Sequence, residues 1–403
     1  MVAVKLNVVP KIFEDYLSEA VRGELDYDDF SSLVRLLRKK NYDLAVYAYL
    51  GWVRLARSPL LYVACADFGD LLVQGGDYRQ AAIAYQRSLF LNPSYDRASK
   101  GLEAVRLPVA NWSYGLMNIE LTNKCPMKCI MCPRTNNMTR AQGFMDFDVF
   151  SRVVDQFVVD VPGYSQQLVW LHHFGESLLH PDFEKMINYA AGKGMAVSLS
   201  LNPLMVTNDV ATRLLSSRLL MIYASLDGHD DESFEKIRGV KNAYIRSKQN
   251  LLALLERKVA TGWRTRVVVS MIDFPDNAAS INSLRQYWSN IPGVDEFMVK
   301  PFTNWTGDCD DVNSLVATTV QQSSFVSCNY PWEHMSVTWD GDVVACCYDY
   351  DKKYVLGNAR ETPLKEIWNG QPMVRLRSEF RSGNVTCELC RSCRYLRAVN
   401  WEV

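Results

Sequence analysis

Nine of the eleven cysteines fall into two groups, and their spacing suits metal chemistry. The first group is Cys125-Pro-Met-Lys-Cys129-Ile-Met-Cys132, a C-x3-C-x2-C loop. Three thiolates on so short a loop can ligate three irons of a 4Fe–4S cubane and leave the fourth iron without a protein ligand. An open metal position is a reactive one. A structural zinc site would close with a fourth Cys or His, and none follows nearby. The second group holds six thiols, in Cys328-x12-Gly341-x4-Cys346-Cys347 and, forty residues on, Cys387-x2-Cys390-x2-Cys393. A hairpin bearing two thiols and a distant Cys-x2-Cys supplies four thiolates around one cluster, and a zinc ribbon would be satisfied by the same four. Cys65 and Cys309 stand alone.

The elements that must position these groups are legible from periodicity. Residues 1–107 read as helices. YDLAVYAY (42–49) recurs as YRQAAIAY (78–85), 36 positions later, with Tyr, Ala, Ala and Tyr in register. Small Ala beside a large aromatic suits two closely crossing helices. Gly69, Ala81, Tyr85 and Pro93 resemble a tetratricopeptide unit over about 62–95, with a plain helical bundle as the alternative reading. Two units are fewer than a free-standing solenoid wants, which predicts packing on the next domain. From about 108 the period changes. Apolar runs at 117–122, 168–173, 196–202, 221–227, 266–272 and 296–301 alternate with amphipathic stretches such as 146–157 and 182–194. Six such alternations predict an α/β fold over 108–324, a parallel sheet rolled into a full or partial (β/α)6 barrel, with chemistry at the C-terminal strand ends. Residues 325–403 read as a small α+β region: a hairpin turning at Asp340-Gly341, a helix at PLKEIWNG, and the Cys-rich tail. Such a region buries little core alone, and metal would offset that deficit.

Four stretches then converge on one family. After the C-x3-C-x2-C loop come His173-Phe174-Gly175-Glu176-Ser177, resembling a Gly-Gly-Glu-Pro motif, and Asn202 in the place of a Thr-Asn-Gly. Ser225-Leu226-Asp227-Gly228, followed by Ile237-Arg238-Gly239, matches a Ser-x-Asp-Gly and Arg-Gly pair. Over 115–403 the chain resembles the radical S-adenosylmethionine (radical SAM) enzymes. Its tail resembles their auxiliary-cluster domain, SPASM, in the short "twitch" form. The resemblance implies a 4Fe–4S cluster on Cys125, Cys129 and Cys132, with S-adenosylmethionine on the open iron. It implies contacts to that cofactor from Met131, Phe174, Gly175, Glu176, Asn202, Ser225 and Arg238. It also implies a second 4Fe–4S cluster on Cys328, Cys346, Cys387 and Cys390, with Cys347 and Cys393 as alternates. The chain departs from the family at Met131, where an aromatic residue is usual, and at Phe174, where a glycine is. From the residues alone, Asp227 could simply cap a helix and Asn202 make a turn.

The implied activity is reductive cleavage of S-adenosylmethionine to a 5′-deoxyadenosyl radical that abstracts a substrate hydrogen atom. The expected outcome is a net oxidation of a sugar, aminocyclitol or nucleotide in a secondary-metabolite pathway. The alternative is modification of a peptide or carrier-bound substrate, by a maturase or epimerase. Asp273 and Lys300 are candidates for substrate contact or proton transfer, with structural ion pairing as the other reading, and Cys309 is the candidate hydrogen-atom donor for an epimerase. Of His172 and His173, strand alternation sends one inward. A non-enzymatic adaptor, with helices for binding and metal for stability, is the rival from another class. An external one-electron donor of flavodoxin or ferredoxin type is expected, and the N-terminal helices could dock a protein partner. Lys+Arg is 44 against Asp+Glu 45, which gives no electrostatic reason to expect nucleic acid or an anionic membrane. No apolar run spans a bilayer and the N-terminus lacks a signal-peptide pattern, so a cytoplasmic enzyme is expected.

Overall fold

A computed structural model describes residues 19–393 apart from 21, 23, 41, 111, 276, 316–327 and 392. The predicted boundary at 324/325 and both chain ends lie outside the described residues. The strands are β1 (Gly115–Ile119), β2 (Leu168–Trp170), β3 (Ala196–Leu201), β4 (Met221–Ser225), β5 (Arg266–Ile272), β6 (Glu296–Lys300), β7 (His334–Val337), β8 (Asp342–Val344) and β9 (Val355–Asn358). They form one sheet in the order β6-β5-β4-β3-β2-β1-β7-β8-β9. Strands β1 to β6 run parallel throughout. Strand β6 pairs with β5 and not with β1, so the arc is a partial barrel. Strands β1, β3 and β5 are buried along most of their length, which is why they are rich in Val, Ile, Leu and Met.

Among the described residues before the barrel are the helices α1 (Tyr27–Lys40), α2 (Tyr42–Leu55), α3 (Leu61–Gln74), α4 (Tyr78–Leu91) and α5 (Asp96–Val105). Each copy of the 36-residue recurrence opens a helix of 14 residues, α2 and α4. Helix α4 stops two residues short of Pro93, where the proline ring no longer permits the ladder. Kinship with tetratricopeptide repeats remains an inference from the sequence. The helical region does touch the rest of the chain: Arg381 meets Glu103 at 3.1 Å, and Arg106 reaches Asn329 and the Cys328 carbonyl.

The barrel helices that matter for the site are α6 (Phe147–Asp160), α7 (Phe183–Gly192), α8 (Asn208–Leu215), α9 (Asp231–Arg238), α10 (Tyr244–Thr261) and α11 (Ile281–Ser289). Helix α6 shows why they pack: Val149, Phe150, Val153, Val154 and Phe157 recur at helical spacing and are all buried. Helix α9 is specified at both ends. Asp230 and Ser233 form a reciprocal capping box at its start, and Gly239 closes it in the left-handed region at φ 69°.

Two features differ from the sequence reading. The first two strands end earlier, β1 at Ile119 and β2 at Trp170. Leu171 N–H still bonds Ser198 O, but residues 172–176 leave the ladder and cross to the end of β1, where Glu176 N–H meets Lys124 O, so period-2 alternation no longer governs His172 and His173. The C-terminal hairpin also does not stand by itself. Strand β7 pairs parallel with β1, with Gly115 opposite His334 and Ile119 opposite Val337, and β8 and β9 add antiparallel. One continuous core runs from Leu116 and Val169 through Val337 and Val343 to Leu376 and Leu389. The small region therefore borrows its core from the barrel. Strand β9 and the helix Gln371–Ser382 (α12) are elements the sequence reading lacked.

Candidate active site

The first cysteine loop is built on a helix end. A helix leaves its last carbonyls without partners. The C-terminus of α9 offers two of them to the loop: Lys128 N–H donates to Arg238 O and Ile130 N–H to Ile237 O, both at 3.1 Å. Gly239 makes this approach possible, since a Cβ there would lie 2.4 Å from the Lys128 carbonyl oxygen. Arg238 extends from the same turn to the Cys129 Sγ at 3.5 Å and pairs with the buried carboxylate of Asp227. The loop then closes into a one-turn helix, Pro133–Asn136, with Cys132 at its N-cap.

Beside the loop lies a cleft of ≈ 250 Å³ at the C-terminal ends of β1 to β6. Cys125, Cys129 and Cys132 border it together with Met131, Phe174, Gly175, Glu176, Asn202, Ser225, Arg238 and Lys300. All the residues expected to contact S-adenosylmethionine thus share one cavity with the three thiols. Gly175 sits where the strand-two loop crosses the end of β1, and a Cβ there would meet the Thr122 carbonyl oxygen at 2.0 Å. Glu176 accepts from Asn202 N–H at 2.9 Å and from Leu178 N–H at 3.3 Å. Burial pushes its carboxyl up to about 7, against those N–H groups and Arg238. A cation placed beside it would restore its charge. Asn202 uses its Oδ1 to cap Leu204 N–H, while its buried Nδ2 has no protein partner.

Both histidines line the cleft. His172 accepts from Ser200 N–H at Nδ1 (3.1 Å), which leaves its proton on Nε2. Burial, with His173 and Lys300 nearby, pushes it down to about 3, so it is neutral at physiological pH. His173 Nε2 meets the Cys347 carbonyl at 2.6 Å, and its Nδ1 lies 3.7 Å from Glu120. Lys300 is partly buried at the end of β6 with its Nζ 5.4 Å from the Tyr223 ring. Burial holds its ammonium below the usual lysine range, offset in part by Asp227 and reinforced by Arg238. Asp273 lies elsewhere: it is exposed past the end of β5, where its N–H donates to Lys300 O at 2.8 Å. Cys309 is fully buried behind Phe174, 3.3 Å from the Tyr350 hydroxyl, and does not border the cleft.

The second group of thiols converges as well. Cys328, Cys346, Cys390 and Cys393 border one narrow apolar cavity with Tyr330, Tyr348 and Thr306. Cys387 adjoins Cys390, and Cys347 turns toward Cys346 and His334. The two cavities are connected by packed rings: Phe174 to Trp305 (5.1 Å between centroids), Trp305 to Tyr348 (5.8 Å), and Tyr348 to Tyr330 (6.3 Å). Among the described residues no three His, Cys, Asp or Glu side chains close on the position of a single ion. The thiols instead edge cavities, and soft sulfur donors in that arrangement fit iron–sulfur clusters. For the cofactor, the unpartnered Asn202 amide is a buried donor in need of a polar acceptor, and the buried Glu176 carboxyl, raised by desolvation, favours a cation beside it.

Several site residues were missed from the sequence. Glu120, 0% exposed, holds Arg140 through two hydrogen bonds of 2.6 and 2.7 Å and accepts from Phe174 N–H and Trp339 N–H. It fixes the strand-two loop to both the barrel and the C-terminal hairpin. The signal was present: a lone carboxylate within the apolar run MNIELT has to be paired. Arg106 gave no such local sign, since its partners lie more than 200 residues away, and Trp305 stands in a recognisable stretch after β6 whose contact with Met131, 174 residues earlier, is not local.

Comparison with known proteins gives these cavities a chemical identity. Residues 119–281 match the radical SAM superfamily model, and residues 328–394 match SPASM, an iron–sulfur cluster-binding domain. A cofactor-modifying protein for tungsten-containing aldehyde ferredoxin oxidoreductase from Pyrococcus furiosus is 22% identical over 68% of this chain and 86% of its own length. The S-adenosyl-L-methionine-dependent 2-deoxy-scyllo-inosamine dehydrogenase of Niallia circulans is 18% identical over 70% of this chain and 92% of its own. The structure of Streptococcus suis SuiB bound to the precursor peptide SuiA superposes with a TM-score of 0.52 at 16% identity, covering 87% of this chain and 86% of that one. No helix among the described residues is long and apolar enough to cross a membrane. With a radical SAM domain that takes a 4Fe–4S cluster and S-adenosylmethionine, and a SPASM domain that takes auxiliary iron–sulfur, this chain is a radical SAM enzyme of the SPASM-containing kind.

Proposed function

We propose that the enzyme oxidises a hydroxyl-bearing carbon of a sugar, aminocyclitol or nucleotide. Cys125, Cys129 and Cys132 would hold the first cluster, and Met131, Phe174, Gly175, Glu176, Asn202, Ser225 and Arg238, which line the same cleft, would surround S-adenosylmethionine. Cys328, Cys346, Cys390 and Cys393 hold the auxiliary cluster, with four thiolates closing its coordination. Bound there, these groups supply a 5′-deoxyadenosyl radical that takes the substrate's hydrogen atom, and an auxiliary cluster that accepts the remaining electron. What is left to the chain is the hydroxyl proton, and Lys300 takes it as the carbonyl forms.

Lys300 is the observation that carries this reading. It is a partly buried amine on the cleft, held below its ordinary value by desolvation. Its neighbours are the Tyr223 ring, neutral His172, Asp227 and Arg238. Because its value is lowered, the proton-accepting free amine grows as pH rises from acid, and product formation should rise with it before levelling. Lys300→Met should lower product formation by about 100-fold or more and flatten that profile. S-adenosylmethionine cleavage should continue. Equal loss of cleavage and product, measured as 5′-deoxyadenosine and ketone in the same samples, would remove Lys300 from the proton step. The relationship to an aminocyclitol dehydrogenase supports the choice of substrate class.

A second reading, modification of a peptide or carrier-bound substrate, draws on the likeness to SuiB, which spans more of this chain than 108–403 alone could supply. Deuterium transfer into 5′-deoxyadenosine from labelled substrates of each class separates the two. Under this second reading Cys309 would need to reach the substrate to quench it, past the ring of Phe174.

A further inference from the structure

Trp305 is one of three described non-glycine residues with positive φ, at 59°. A bulky residue in the left-handed region is unfavourable and persists only where its surroundings over-determine it. Here they do. Its N–H meets Thr303 Oγ1 at 3.3 Å, and Asn304 and Asn313 cross-link the same loop, with Asn313 Nδ2 bound to the Gly307 carbonyl. The consequence is that the indole is turned onto the cleft. Its Nε1–H donates to the Met131 carbonyl at 2.7 Å, and its ring packs on Phe174. Both Trp305 and Met131 border the cavity.

The residue before the third cysteine is a methionine, so that loop brings no aromatic face of its own. The structure provides one from the loop after β6, tied by a hydrogen bond to that same residue. We propose that Trp305 is the aromatic wall on which the adenine of S-adenosylmethionine stacks, and that its bond to Met131 O sets the position of that wall against the cysteine loop. The inference rests on reading the cleft as the S-adenosylmethionine site. An alternative purpose for the strained loop is to seal the cavity, which would need bulk and no particular ligand.

The test is equilibrium binding to the anaerobically reconstituted full chain, with iron counted in each sample. The probes are S-adenosylmethionine and methionine, the second lacking the adenine. Glycine is at ease at this φ, so Trp305→Gly removes the ring without forcing the backbone to move. It should weaken S-adenosylmethionine about tenfold or more, the scale of a lost base–aromatic stack, with methionine binding and iron content unchanged. Trp305→Phe keeps a ring and should lose only a few-fold. Wild-type affinity for S-adenosylmethionine in Trp305→Gly would overturn the inference, as would an equal loss for both probes, which marks a sealing role. A fully iron-loaded wild type that binds neither probe would instead defeat the reading of the cleft itself.

Discussion

Gly239→Ala should strip the first cysteine loop of its iron while the auxiliary site stays loaded. Iron per chain would fall from roughly eight to about four, and S-adenosylmethionine cleavage would be lost. Two effects coincide at this residue. Its φ of 69° costs an L-residue about 1–2 kcal/mol. The added Cβ would also lie 2.4 Å from the Lys128 carbonyl oxygen, a backbone atom that cannot rotate away. Relief means moving the loop off the end of α9, which breaks the bonds from Lys128 and Ile130 N–H and parts Cys129 from Arg238. The loop contributes three thiolates and no spare, so a displaced Cys129 leaves nothing to take its place. Iron and sulfide analysis after anaerobic reconstitution, with methionine release as the activity readout, checks this. A Gly239→Ala protein with full iron and wild-type cleavage would mean that the helix end does not position the loop.

The second large effect separates the cysteines of the tail. Cys393→Ala should cost the auxiliary cluster, about four irons, whereas Cys387→Ala should keep it. Sequence spacing pairs Cys387 with Cys390, but Cys390-x2-Cys393 has the same spacing. In three dimensions Cys390 and Cys393 border the cavity with Cys328 and Cys346, whereas Cys387 touches Cys390 without lining the cavity, its N–H donating to Glu379 at 2.8 Å. Removing one of four closing thiolates destabilises the whole group, because metal binding and local folding are one equilibrium in so small a region. The region keeps its shape from the barrel through β7 on β1, so Cys393→Ala should remain folded and its first cluster intact. The opposite pattern, retention in Cys393→Ala and loss in Cys387→Ala, returns the ligand role to Cys387.

These cases also show where sequence reading succeeds. The C-x3-C-x2-C loop, Gly175-Glu176 and Arg238-Gly239 are legible because each is a short segment whose chemistry is local: a loop, a strand end, a helix cap. Strands β3, β5 and β6 are legible because parallel strands of a covered sheet leave short stretches dominated by apolar residues. Strand β2 was overestimated because its apolar run continues into residues whose backbone serves the cleft instead of the ladder. What stayed hidden depends on long-range pairing. Nothing in the hairpin's own residues says that β7 will lie against β1, or that Trp305 will bond Met131, 174 residues earlier. The placement of Cys309 behind Phe174 and of Asp273 outside the cleft is of the same kind: composition marks a residue as reactive, and only the fold says what it faces.

All of this depends on an iron beside Cys125, Cys129 and Cys132 that the protein leaves free for S-adenosylmethionine. The most direct measurement is electron paramagnetic resonance of the dithionite-reduced chain in which Cys328, Cys346, Cys390 and Cys393 are replaced by alanine, so that only the first cluster reports. Adding S-adenosylmethionine should change its g-values, and thawing should release methionine and 5′-deoxyadenosine. A spectrum that S-adenosylmethionine leaves unaltered, from protein holding about four irons, would contradict the account.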